Sequence, residues 1–178
     1  DRAPLGTAAG FGVPIFEIDR KMTAREMGFT SVIENPMYAQ KKKKKTEGLI
    51  LHGCTQCMLD INRLASDLIL FSMPEFGYIR LPEEFCTGSS VMPQKKNPDV
   101  LELIRAKFHV VAAEEQKVLS ITADLMSGYN RDVQLTKGPL FHSLDTTMAS
   151  LSMMTDVIIG IEVDENRCRK AMTEELYA

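Results

Sequence analysis

A chain of 178 residues with a net charge of -3 fits one domain or slightly more and gives no basis for binding nucleic acid. No apolar run approaches the roughly 20 residues that span a bilayer, and nothing at the start reads as a signal peptide. Hydrophobic residues make up 44%, but Trp is absent and aromatics are 7%, so aliphatic and Met side chains must fill the core. Eleven Met residues suit helix–helix packing, where an unbranched side chain fills irregular gaps.

Residues 1–19 are rich in Gly, Pro and Ala and read as irregular. Thr23 and Glu26 have the spacing of a capping pair for a short helix that Gly28 ends. Pro36 suits the start of another helix. From Leu49 to Met73 the apolar positions Met58, Ile61, Leu64, Leu68 and Phe71 recur at steps of three and four, which predicts an amphipathic helix that Pro74 and Gly77 break. Residues 75–87 form a connection. A long helix is expected over Val100–Met126, with Leu101, Ile104, Phe108, Val111, Val118 and Leu119 on its apolar side. A polar loop follows from Gly128 to Gly138. Leu140, Leu144, Met148, Leu151, Met154 and Ile158 mark the next helix, and Asp164 reads as the N-cap of one beginning at Glu165. No strand pattern or repeat stands out. The expected architecture is all-α, with long helices and short breaks.

The most informative stretch lies between the second and third helices. Thr87-Gly88-Ser89-Ser90-Val91-Met92-Pro93-Gln94-Lys95-Lys96-Asn97-Pro98-Asp99 combines a small turn, two adjacent hydroxyls, two lysines and a helix start. Asn97 suits an N-cap, Pro98 the first helical position, and Asp99 the positive end of the helix dipole. The unpaired N–H groups of such a terminus favour anions, and Lys95 and Lys96 add positive potential. Hydroxyls in that setting suit chemistry on a carboxylate-bearing substrate. Each residue also has a plain reading: loop serines, solvated lysines, an acid offsetting the dipole. Their order and spacing together favour function.

Residues 88–98 resemble the signature loop of the fumarase/aspartase superfamily. The continuation Gln94-Lys95-Lys96-Asn97-Pro98-Asp99, followed by Glu102-Leu103-Ile104-Arg105, resembles the argininosuccinate lyase branch. Pro4-Leu5-Gly6-Thr7-Ala8-Ala9-Gly10 with Ile18-Asp19-Arg20, Glu75-Phe76-Gly77, and Tyr129-Asn130-Arg131-Asp132-x-Gln134-x-x-Lys137 are similar to segments of the same branch. The resemblance covers nearly the whole chain. It implies a long-helix bundle, with residues 1–162 as the central domain carrying the signature loop and 163–178 as the start of a C-terminal helical domain.

The same resemblance implies a reversible elimination that splits argininosuccinate into arginine and fumarate, with no metal or organic cofactor. Ser89 would transfer the proton at the carbon next to a carboxylate. A hydroxyl is a weak base, so its alkoxide needs nearby positive potential. Lys95 would stabilise the doubly charged aci-carboxylate, Asn97 would fix the loop or bind a carboxylate, and Glu102 would orient a catalytic histidine. Tyr129, Arg131, Gln134 and Lys137 would bind substrate. The superfamily forms homotetramers, so active sites shared between subunits are expected. The helix Val100–Met126, at about 1.5 Å per residue, separates the two candidate loops by roughly 40 Å.

Three features depart from the family. The Thr-His motif carrying its catalytic histidine has no match: His52, His109 and His142 do not fit it. The early Ser/Asn substrate segment is also unmatched. Lys41 to Lys45 replace residues that relatives keep near the site, where only Asn35, Met37 and Ala39 hold the pattern. A lysine run is usually a solvated face. The chain is therefore expected to be the central part of a lyase. Two other functions remain open: a catalytically silent structural homologue of the delta-crystallin kind, or another fumarate-releasing lyase.

Cys54 and Cys57 form a C-x-x-C pair with His52 just upstream. A zinc or redox reading needs a second ligand pair or a strand–turn–helix context. Neither is visible. The cysteines read as buried free thiols, with a reducing, cytoplasmic setting.

Overall fold

The structure is a computed structural model that describes residues 1–88 and 96–172. In chain order its elements are β1 (Arg2–Ala3), α1 (Arg20–Glu26), β2 (Ser31–Val32), α2 (Pro36–Ser72), β3 (Ile79–Arg80), β4 (Thr87–Gly88), β5 (Lys96–Asn97), α3 (Asp99–Ala123), α4 (Lys137–Gly160), β6 (Glu162–Val163) and α5 (Glu165–Ala171). Short 3-10 turns cover Glu83–Phe85 and Arg131–Thr136. The fold is all-α, as expected. The strands are two-residue pairings: β1 with β2 in parallel, β3 with β6 and β4 with β5 antiparallel. Two residues carry no period, so sequence patterning could not announce them.

Local chemistry explains most helix ends. Asp19 caps α1 by accepting the Met22 N–H at 2.8 Å. The helix thus starts upstream of Thr23, which lies inside it. Gly28, at φ +77°, closes it with its N–H on the Arg25 carbonyl. Asn35 Oδ1 accepts from Met37 and Tyr38 at the head of α2, with Pro36 at the first helical position. Helix α2 is continuous over 37 residues and joins the two helices expected there, with the lysine run inside it. Asp164 caps α5 by accepting from Arg167. At α3, the Pro98 carbonyl receives the Glu102 N–H, so Pro98 holds the N-cap position expected of Asn97, and Asn97, one residue further out, pairs in β5 instead. The far end of α3 is Ala123, three residues short of Met126.

Two compact units divide the chain: residues 1–52 with 114–141, and residues 53–113 with 142–178. In the first, Ala3, Ala24, Ile33, Ala39, Leu51, Val118 and Val133 are buried. Arg20 crosslinks its irregular N-terminal segment, donating to the carbonyls of Leu5 (2.9 Å) and Ile33 (2.5 Å). In the second, Met58, Ile61, Ala65 and Leu68 of α2 meet Leu101, Ile104 and Val111 of α3 and Met154 and Val157 of α4. Burying each large side chain there contributes about 1.5–3 kcal/mol.

Helix α4 departs from expectation. Its buried positions include Ser143, Thr147, Ser150, Met154 and Val157, while Met148 (69% exposed), Leu151 and Ile158 face out. Apolar periodicity correctly marks a helical stripe, but hydroxyl-bearing side chains occupy the inner one. Small residues let helices approach closely, and Ser150 meets its hydrogen-bonding need on the Thr146 carbonyl at 2.7 Å.

Candidate active site

Ser89 and Lys95 lie outside the described residues. What frames them is described. On either side of them in sequence, β4 and β5 pair antiparallel, with Thr87 opposite Asn97 and Gly88 opposite Lys96. The Thr87 hydroxyl donates to Asp99 Oδ2, and the Lys96 ammonium donates to Glu83 Oε1. Asp99 and Glu102 occupy the first turn of α3, where the helix dipole favours carboxylates. Asn97 is half-buried and Glu102 exposed. This unit thus brings together two of the expected catalytic residues.

Beneath this ladder is a cavity of about 520 Å³ whose lining includes Arg80, Glu83, Cys86, Lys96, Pro98 and Glu162. The hydrogen bond from Lys96, and its charge, hold the Glu83 carboxyl below the ordinary range. Lys96 is therefore paired with Glu83, a partner that its position in the sequence does not announce. Partial burial pushes the Cys86 thiol up, against the opposing pull of Lys96, so it stays protonated near neutral pH. Glu83 was invisible to sequence reasoning because it lies 13 residues from Lys96 and no local pattern links them.

The second expected cluster falls in the other unit. Asn130 ties the preceding turn by donating to the carbonyls of Met126 (2.9 Å) and Gly128 (3.2 Å). Gly128 takes φ +113°, which an L side chain rarely adopts, and a Cβ there would sit 3.3 Å from Phe11 Cζ. The polar loop is then a 3-10 turn, Arg131–Thr136, leading into α4. Side chains three apart eclipse in such a turn. Val133 and Thr136 therefore form the buried row, while Arg131, Gln134 and Lys137, also at steps of three, are exposed together. Tyr129, half exposed, precedes them. The spacing that looked like a loop motif is the period of this turn.

The lysine run is helical and splits by the helix period. Lys41, Lys44 and Lys45 line a cavity of about 210 Å³ with Leu119, Thr122 and Met126, while Lys42 and Lys43 line another beside Phe29 and Glu47. Cys54 is buried, whereas Cys57 is exposed, contrary to expectation, and all four cysteines are free. His52 Nδ1 lies 3.0 Å from Glu115 Oε1. Among the described residues no group of His, Cys, Asp or Glu could hold a metal ion.

Comparison with known proteins places this geometry in a class. The structure is similar to EDDS lyase (TM-score 0.74, 26% identity, 95% of this chain and 33% of that one). It is also similar to the fumarate lyase:delta crystallin from Brucella melitensis (TM-score 0.79, 21% identity, 95% of this chain and 38% of that one), a likeness of fold. The helical bundle is thus of the fumarase/aspartase type. A family model described as lyase matches residues 2–113, and the chain belongs to that family. Among curated proteins it is 48% identical over its whole length to the argininosuccinate lyase of Thermotoga neapolitana and 48% to that of Sorangium cellulosum. It spans 44% and 41% of their respective lengths.

Proposed function

We propose that the full-length protein containing this chain is an argininosuccinate lyase. The observation that carries the reading is the uninterrupted signature Thr87–Asp99, followed by Glu102 on α3, in a chain 48% identical throughout to proteins of that name. In the proposed reaction Ser89 removes the proton from the carbon next to a succinyl carboxylate. The freed electron pair forms the double bond of fumarate as the carbon–nitrogen bond breaks, and arginine leaves with the bonding pair and a proton. Lys95 stabilises the aci-carboxylate, Asn97 holds the loop or a carboxylate, and Glu102 orients a histidine. Tyr129 and the exposed row Arg131, Gln134 and Lys137 bind the carboxylate or guanidinium-bearing ends of the substrate. No cofactor is required by this scheme.

The assembly proposed is a homotetramer with shared active sites, in the cytoplasm. Two observations support sharing. A 25-residue helix, α3, separates the two candidate segments along the chain. The outer side of α4 carries Phe141, Met148 and Ile159 at 62%, 69% and 79% exposure, an apolar surface suited to a helical neighbour. No helix among the described residues is long and apolar enough to cross a membrane. Residues 163–178 are proposed to open a further helical domain.

The test is fumarate absorbance on adding argininosuccinate to the full-length protein. Ser89→Ala should lower turnover by about 10²–10⁴-fold. Co-refolding Ser89→Ala with Gln134→Ala should restore activity if sites draw both segments from different chains; no recovery in confirmed mixed tetramers rejects sharing. A second reading, another fumarate-releasing lyase, is favoured by the likeness to EDDS lyase. Fumarate release from a different amine, with none from argininosuccinate, would select it. A protein that releases fumarate from neither is a silent homologue, the outcome that the lysine run would favour.

A further inference from the structure

A ladder of two residues is a weak fastening, since even a longer isolated hairpin is only marginally stable in water. Yet β4 and β5 bound the signature segment, and Asn97 stands in β5. Something beyond the backbone must hold them. Thr87 has two partners at once: its backbone position is opposite Asn97, and its hydroxyl donates to the Asp99 carboxylate. Asp99 begins α3, and Glu102 lies three residues further on, a neighbour on the same side of the helix. A hydroxyl bonded to a carboxylate is among the stronger hydrogen bonds. On the other strand, Lys96 is held by Glu83 in the 3-10 turn that precedes β4. Both contacts are exposed, and the second also holds two long, flexible side chains, which cost entropy to fix in one geometry.

We propose that Thr87 and Asp99 are positioning residues: their side-chain contact ties β4 to the first turn of α3, and so fixes Asn97 in β5 relative to Glu102, with Lys96–Glu83 as a weaker second tether. The proposal rests on the lyase reading for its catalytic consequence, though not for the contact itself. The reasoning is geometric. Asn97 reaches α3 through Pro98, whose ring fixes φ but leaves ψ free to turn, so the covalent link alone does not fix Asn97 against the helix. With Thr87 free of Asp99, the ladder and Asn97 can shift together against the turn that carries Glu102. A displacement of about 1 Å at a catalytic centre can cost about a hundredfold in rate.

The experiment uses the full-length protein and the variants Thr87→Val, Asp99→Asn, their double mutant, and Thr87→Ser. Three quantities are measured: amide exchange at residues 87, 88, 96 and 97, melting temperature, and kcat and KM for argininosuccinate. Thr87→Val should speed exchange in the ladder and lower kcat by about ten- to a hundredfold, the range of a charged hydrogen bond, while Asp99→Asn, whose amide oxygen still accepts but carries no charge, should move both in the same direction by less. KM should stay within about twofold. The double mutant should be no worse than Thr87→Val, because that variant already removes the interaction that Asp99→Asn only weakens. Thr87→Ser keeps the hydroxyl and should recover most of the rate at an unchanged melting temperature. Unchanged exchange, unchanged kcat, or losses that multiply independently in the double mutant would overturn the proposal. So would a loss in Thr87→Val that follows a fall in melting temperature and is not recovered by serine. If the parent protein fails to cleave argininosuccinate, the lyase reading falls, and exchange in the ladder alone decides whether the tether exists.

Discussion

The Thr136 hydroxyl lies 2.6 Å from Glu47 Oε2, joining the 3-10 turn before α4 to the first third of α2 across 89 residues of chain. Both residues are buried: Thr136 is fully enclosed and Glu47 is 7% exposed. The Val133 carbonyl is also within 2.8 Å of the hydroxyl. The single hydroxyl proton is shared between the two acceptors, of which the carboxylate is the stronger and the nearer. This contact seats the turn whose other row is Arg131, Gln134 and Lys137.

Replacing Thr136 with Val keeps the shape and removes the donor. A buried carboxylate left short of a partner costs about 1–3 kcal/mol or more. Thr136→Val is therefore expected to lower the unfolding free energy by that amount, read as a lower denaturant midpoint at an unchanged slope of the transition. Thr136→Ser should cost less, since it keeps the hydroxyl. Equal stability of the parent and the valine variant would show that Glu47 draws nothing from Thr136.

Gln134→Ala and Lys137→Ala act on the exposed row of the same turn. Neither side chain is buried, so each should change stability by no more than about 0.5 kcal/mol. Both should raise KM for argininosuccinate more than they lower the melting temperature. A lowered melting temperature with an unchanged KM would make the row structural. This separation from Thr136→Val is a sharp one, because the residues concerned are neighbours in sequence and opposite in burial.

Gly77 tests a close approach. It takes φ +56°, and a Cβ added there would overlap Arg167 Nη1. That guanidinium nitrogen donates to the carbonyls of Pro74 (3.2 Å) and Phe76 (3.4 Å), fastening α5 to the turn after α2. Gly77→Ala forces both a left-handed alanine, costing about 1–2 kcal/mol, and displacement of Arg167. A fall in melting temperature together with faster amide exchange in α5 is expected. Arg167→Ala should reproduce the exchange change but carry less of the stability loss.

The Glu83–Lys96 pair predicts a pH dependence with a definite sign. Lys96 lowers the folded-state pKa of Glu83 below its unfolded value. The contact therefore contributes fully above the ordinary carboxylate range and is lost as pH falls through the lowered pKa. Carboxyl carbon titration by NMR should show Glu83 ionising below ordinary glutamates, and Lys96→Met should return it to their range. No change in that variant would remove Lys96 as the cause.

The helices of this protein and the identity of its signature segment are legible in the sequence because they rest on near neighbours. Asn35 beside Pro36, Gly28 after α1 and Asp164 before α5 act within three or four residues, and the order of Ser89, Lys95, Asn97 and Glu102 is itself linear information. The spacing of Arg131, Gln134 and Lys137 is also local, although its meaning as the period of a 3-10 turn emerges only from the structure. Tertiary structure decided the rest. Periodicity identifies which α4 positions are apolar, but burial depends on which stripe meets other helices; Ser143, Thr147 and Ser150 face inward while Met148 faces out. The pairing of β4 with β5, and the contacts of Thr87 with Asp99 and Lys96 with Glu83, join residues well beyond the reach of one helical turn in sequence but adjacent in space. Such contacts form only after the chain has folded back, so no window of sequence contains the physical reason for them.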